Sequence, residues 1–132
     1  MSGVHASRLP DLPGLPTDLV EAAWKPVRHH FGVTAFGVNA YVAGAAGELL
    51  IEEHSEGSDG HEELYVVSSG RATFTAAGEE IDAPAGTLVA VTDPTLVRGA
   101  VALEPGTAVL VVGAPRGKPY VLRNWERTRI GD

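Results

Sequence analysis

From residue 33 onward, apolar and polar residues alternate with a period of two, and a glycine or proline interrupts the alternation every several residues. That pattern suits short strands whose side chains point to two faces in turn, and it excludes long helices, which need a period near 3.6. The predicted strands run over 33–43, 48–54, 62–68, 71–76, 79–82, 87–92, 96–103 and 107–113. Turns fall between them at 44–47, 55–60, 69–70, 77–78, 83–86, 93–94 and 104–106. Eight strands in this space make an antiparallel sandwich or a small barrel. The 16 glycines and 9 prolines among 132 residues, with only 6% aromatics, agree with a turn-rich β domain.

The flanks read differently. Over 1–16 the pairs Leu9-Pro10, Leu12-Pro13 and Leu15-Pro16 keep the chain extended, because each proline pushes its predecessor out of helical geometry. Over 17–24 a threonine, early acids and Leu19, Val20 and Ala23 at helical spacing predict a short helix. Lys25-Pro26 ends it, and a further turn over 27–31 is closed by Gly32. The organisation expected is one domain: an arm and short helix over 1–32, a barrel over 33–113, and a polar extension over 114–132 anchored by Tyr120, Leu122 and Trp125.

Composition narrows the function classes. With no cysteine, thiol catalysis, a disulfide scaffold and an iron–sulfur centre are excluded. A net charge of −7 repels phosphate backbones, so no nucleic-acid partner is expected. No apolar run approaches the roughly 20 residues of a membrane span, and the start has neither a basic nor an apolar leader region, so no membrane partner and a cytoplasmic location are expected.

Alternation also assigns faces. Phe36, Val38, Ala40 and Val42 share one face of the first strand, opposite Asn39 and Tyr41. Val97, Val101 and Leu103 lie together, opposite Arg98, which places Arg98 outside the barrel or at a subunit contact. Leu49, Ile51 and Glu53 share a face, which turns His54 to the other one unless a bulge intervenes.

The run 61–67, His-Glu-Glu-Leu-Tyr-Val-Val, contains Glu63, which six residues separate from Gly70, and Gly86 follows after a 15-residue gap and opens Thr87-Leu88-Val89-Ala90-Val91. In these residues the chain resembles the cupin family, small jelly-roll barrels with two short metal-binding motifs. The resemblance covers about half the chain. It implies an all-β, double-stranded β-helix fold and a homodimer. It also implies that Glu63 takes the place of the first motif's acidic ligand. The histidines of that motif would fall at 57 and 59 or at 56 and 58, which are Gly57 and Asp59 or Glu56 and Ser58. The second motif's histidine and asparagine positions are Val97 and Val101. Neither valine can coordinate a cation, and a transition-metal site needs three or four N or O donors.

The reading that follows is metal-independent binding or sensing of a small molecule in the barrel, with no cofactor and no catalytic residue assigned. Glu63, Tyr65, His54 and His61 are its ligand-binding candidates. Tyr65 shares a face with Glu63 and supplies a hydroxyl beside it. The alternative is a dioxygenase- or isomerase-like cupin enzyme with one divalent transition metal ion. A longer loop would then let His54-Ser55-Glu56 stand in for the missing histidine pair, with His61 and Glu63 as further ligands. Other clusters carry less. His29 and His30 point about 100° apart on a helix, and the pairs Glu52-Glu53, Glu62-Glu63 and Glu79-Glu80 each offer one carboxylate at most to a barrel interior. Trp24 and Trp125 read as packing anchors at the barrel ends.

Overall fold

The computed structural model describes residues 3–131; Met1 and Ser2 of the predicted arm and Asp132 of the extension lie outside the described residues. The strands are β1 (Ala23–Lys25), β2 (Gly37–Val42), β3 (Leu49–His54), β4 (His61–Ser69), β5 (Arg71–Ala76), β6 (Glu79–Pro84), β7 (Leu88–Val91), β8 (Arg98–Ala102) and β9 (Ala108–Pro115). The helices are α1 (Val27–Phe31) and α2 (Asn124–Ile130). One sheet has the order β1-β2-β9-β4-β7 and the other β3-β8-β5-β6, and every pairing is antiparallel. The two sheets pack face to face as a jelly-roll barrel. Among the described residues, no helix is long and apolar enough to cross a membrane.

All eight predicted strands are present with adjusted ends. The first begins only at Gly37, because Gly32 at φ +72° ends α1 and the chain must loop back before Gly37 meets Gly113 on β9. The helix predicted over 17–24 is absent, and its last residues form β1 instead. Two turns of helix are marginal in water, where isolated helices need about 12–15 residues. As a strand, 23–25 pairs with β2 and carries Trp24 into the core at 0% exposure. Thr17 still accepts a bond from the Leu19 backbone N–H at 3.2 Å, but it closes a bend rather than a helix.

The barrel core brings Tyr41, Tyr65, Val67, Val109 and Val111 of the first sheet against Leu50, Ala72, Phe74, Ala100 and Ala102 of the second. Tyr65 and Phe74 meet edge to face with ring centroids 5.4 Å apart. A second, outer cluster explains why β2 and β9 are apolar on both faces: Leu12 and Val27 pack on Val38 and Ala40. The arm is therefore docked on the sheet, and Lys25 fastens it by donating to the Leu12 carbonyl at 2.7 Å. The turn between β4 and β5 needs Gly70, whose φ is +71° and where a Cβ would stand 2.7 Å from the Thr107 Cα.

Two strand faces are opposite to expectation. Val97 and Val101 are exposed, at 51% and 38%, whereas Arg98 is buried at 1%. The inward positions of β8 are Arg98, Ala100 and Ala102; the two alanines are small and Ala100 pairs with Phe74 of β5, so the bulkier valines mark the solvent side. On β3 the inner residue is Leu50, at 0% exposure, and Glu52 and His54 follow it into the barrel. Register shifts between Leu49 and Ile51 and between Ile51 and His54 bury Ile51 as well, although it neighbours Leu50.

Candidate functional site

Glu63 and Tyr65 alternate inward from β4, and the Tyr65 hydroxyl donates to Glu63 Oε1 at 2.6 Å. Arg98 enters from the opposite sheet. Its Nη2 donates to the same Glu63 oxygen at 3.1 Å, and its Nε donates to the Tyr65 hydroxyl at 3.2 Å. The Leu96 carbonyl accepts from Arg98 Nη1 at 2.7 Å, which locks the guanidinium plane. An arginine suits this position because its planar fork serves three acceptors at once. Arg98, expected on the outer wall, is therefore the inner partner of Glu63, and its side chain has no exposed surface.

A second ion pair lies beside the first. The loop after β3 is tied down by the Glu56 backbone N–H donating to the Pro94 carbonyl at 2.8 Å, which turns the Glu56 carboxylate inward. Arg123, from the segment before α2, donates to Glu56 Oε1. His54 sits between the two carboxylates, with Nε2 3.1 Å from Glu56 Oε2 and 3.9 Å from Glu63 Oε1. Its other nitrogen, Nδ1, donates to the Glu52 carbonyl at 2.7 Å.

Burial pushes the His54 imidazole towards its neutral form, but the bonds to Glu56 and the Glu52 carbonyl and the charges of Glu56 and Glu63 outweigh it. Its pKa lies above the ordinary histidine value. Glu56 shifts the other way: burial would raise it, yet the His54 bond and the Arg123 charge hold it below the usual carboxylate value. Burial and the adjacent Glu63 carboxylate push the Tyr65 hydroxyl far up, so it stays protonated as a donor.

Above this charged floor is a cavity of about 180 Å³ whose walls include Tyr41, Leu50, Ile51, Val111 and Trp125. A cavity of about 150 Å³ takes a benzene-sized guest, so this one suits a molecule of comparable or slightly greater size. Arg123 and Trp125 reach it because a buried network seats the C-terminal segment. Glu126, at 0% exposure, accepts from Arg28 Nε at 3.3 Å and from Asn39 Nδ2 at 3.1 Å, and Asn39 accepts from Trp24 Nε1 at 2.8 Å. Trp125 packs against Trp24 with centroids 5.2 Å apart, while the guanidiniums of Arg123 and Arg129 lie 5.6 and 5.7 Å from the centroid of its ring.

The structure thus brings four sequence candidates, His54, Glu56, Glu63 and Tyr65, to one cavity. His61 is not among its walls; it is buried on the other side of Arg123 against Tyr120. Arg98, Arg123 and Asn39 were not recognised from sequence. For Arg98 a signal existed, since it is a lone arginine in a strand whose alternate positions are alanines.

One His and two carboxylates, His54, Glu56 and Glu63, place a donor atom each within 4.8 Å of one another, a spacing compatible with a cation. The charges around them argue the other way. Both carboxylates already hold a guanidinium, and His54 is raised towards its charged form. Like unit charges about 4 Å apart repel by about 4 kcal/mol at an effective dielectric near 20, and a divalent ion doubles that. Two guanidiniums already balance the two carboxylates, which leaves no net negative charge to draw a divalent ion.

No protein-family model and no curated protein matches the chain. Solved structures do. A cupin protein from Bacteroides fragilis aligns with a TM-score of 0.62 at 20% identity, covering 83% of this chain and 91% of that one. A predicted oxalate decarboxylase from Thermotoga maritima aligns at 0.62 and 17% identity, covering 83% and 97%. A cupin 2 conserved barrel domain protein from Salinispora arenicola aligns at 0.61 and 18% identity, covering 83% and 89%. Likenesses at this identity speak for the fold.

Proposed function

Since this chain is a cupin by its fold, we propose that its barrel binds or senses a small molecule without a metal ion. The observation that carries this reading is the self-neutralised cluster at the floor of an apolar-walled cavity: Glu63 with Arg98 and Tyr65, and Glu56 with Arg123 and His54. Tyr65, Arg98 and His54 all converge on Glu63 Oε1. Oε2 is then the acceptor left for a guest, so the ligand class is an apolar body of roughly benzene size that carries an N–H or O–H donor. The walls bury the body, and the fixed carboxylate selects the donor. One fold hosts many chemistries, and the oxalate decarboxylase name of one neighbour belongs to that neighbour.

Fragment screening by NMR on the full chain tests the reading. Hits that carry a donor on an aromatic or aliphatic body are expected to shift the Val111 and Leu50 methyl signals. Their affinity is expected to fall about tenfold or more in Glu63→Gln, which removes the charged acceptor, and by less in Tyr65→Phe, which removes only a donor that holds the carboxylate in place. Hits that bind equally well to both variants would place the ligand elsewhere and end this proposal.

A further inference from the structure

Tyr41 is a wall of the barrel cavity with a polar end that the fold does not use. The residue is only 9% exposed, and its hydroxyl has no hydrogen-bond partner among the described residues. Asn39, on the same face of β2, does not serve it: its oxygen accepts from Trp24 and its amide donates to Glu126. Three other unpartnered side-chain atoms, His61 Nδ1, the Tyr120 hydroxyl and Arg123 Nε, are sealed in the protein. The Tyr41 hydroxyl is not sealed, and the space that Tyr41 borders is the cavity. A guest in the cavity can therefore reach it.

The chemistry of a phenol fixes what this group needs. At neutral pH a tyrosine hydroxyl is protonated at its ordinary value. Burial pushes Tyr41 further up, with Glu126, Glu63 and Glu52 adding to the rise and Arg123 opposing it. Its hydrogen needs an acceptor, because buried donors without one are rarer than oxygens with a spare lone pair. Geometry places that acceptor. β2 and β4 flank β9, where Tyr41 stands opposite Val109 and Glu63 opposite Gly113. The two side chains thus rise from one inner face, rooted about 14 Å apart along the strands at about 3.4 Å per residue. A guest that touches both carries its polar groups at opposite ends of its apolar body.

We propose that Tyr41 is a specificity-determining residue of the barrel site, whose hydroxyl donates to an oxygen acceptor of the guest. The ligand class narrows to a small apolar molecule with an N–H or O–H donor at the Glu63 end and an ether, carbonyl or hydroxyl oxygen at the Tyr41 end. This inference rests on the binding function proposed above, since Glu63 Oε2 takes the donor. It adds a second polar contact, so that the cavity selects the length of the guest as well as its polarity.

Two probes of nearly the same shape test it: 4-(methoxymethyl)phenol, and 4-propylphenol, in which a methylene replaces the ether oxygen. Their affinities are measured on the full chain by NMR titration, following the Leu50 and Val111 methyl signals, for the parent, Tyr41→Phe and Glu63→Gln. The affinity of the ether relative to the propyl compound is expected to fall about fivefold or more from the parent to Tyr41→Phe, the loss of one neutral hydrogen bond. 4-Propylphenol itself is expected to bind Tyr41→Phe as well as it binds the parent. Tyr41→Phe keeps the ring and breaks no bond of the fold, so its unfolding midpoint is expected to match the parent's. A clear drop in that midpoint, or failure to fold, would show the hydroxyl already partnered and overturn the inference. So would an affinity ratio that is the same in the parent and Tyr41→Phe, or binding of neither probe. An unchanged ratio with 4-propylphenol still weakened about tenfold in Glu63→Gln removes the role of Tyr41 and leaves the proposed binding function standing. Probes that bind but are indifferent to Glu63→Gln sink that function and this inference with it.

Discussion

Replacing Arg98 by Ala is expected to lower the unfolding free energy by about 3–5 kcal/mol, the usual loss when one partner of a buried ion pair is removed. The size follows from what stays behind. Glu63 is 7% exposed, and without the guanidinium its carboxylate keeps only the Tyr65 hydroxyl as a close donor. Arg98→Met combined with Glu63→Gln is expected to recover most of the loss, because the pair is then removed together rather than halved. Chemical denaturation of the single and double variants checks this. A loss below about 1 kcal/mol in Arg98→Ala would mean that the pair is solvated like a surface salt bridge and is not the floor of a dry cavity.

Trp24→Ala is expected to cost about 3–5 kcal/mol, the range for truncating a large buried aromatic. Trp24 has no exposed surface, packs on Trp125 and donates to Asn39, which in turn donates to Glu126. The variant should therefore also loosen α2, and limited proteolysis is expected to cut within 114–131 before the barrel is touched. Trp24→Phe keeps most of the packing and leaves the Asn39 oxygen short of a donor, a loss of about 1–3 kcal/mol. Equal protease resistance of Trp24→Ala and the parent chain would show that the C-terminal segment is seated by something other than this network.

The fate of particular residues shows what was legible in the amino-acid sequence. The strands could be read because glycine and proline punctuate a period of two, and α1 because Gly32 stands where a left-handed cap is needed. Trp24 could not be read correctly. Its local spacing favours a helix, and only pairing with the distant edge of β2, where Trp24 meets Tyr41, turns it into a strand. Arg98 was misplaced for a related reason. In a narrow barrel the inner face of β8 takes alanines, so the larger valines marked solvent and hydrophobicity pointed the wrong way. Glu63 and Tyr65 could be paired from their two-residue spacing alone, whereas their partners Arg98 and Arg123 arrive from other elements through contacts that no local pattern encodes. His54 was turned the wrong way because Leu50, and not Leu49 with Ile51, marks the inner face of β3, and three apolar residues in a row hide which face is which.

The central claim is that Arg98 and Arg123 balance the charges of Glu63 and Glu56, the basis of the metal-independent binding proposed above. Elemental analysis of protein purified without an affinity tag, before and after incubation with manganese, iron, nickel and zinc and removal of unbound ion, tests it most directly. Metal far below one equivalent per chain, with no difference between the parent and His54→Ala, is the result this account predicts. Near-stoichiometric metal that is lost in both His54→Ala and Glu63→Ala would contradict it and make the same cluster a metal centre.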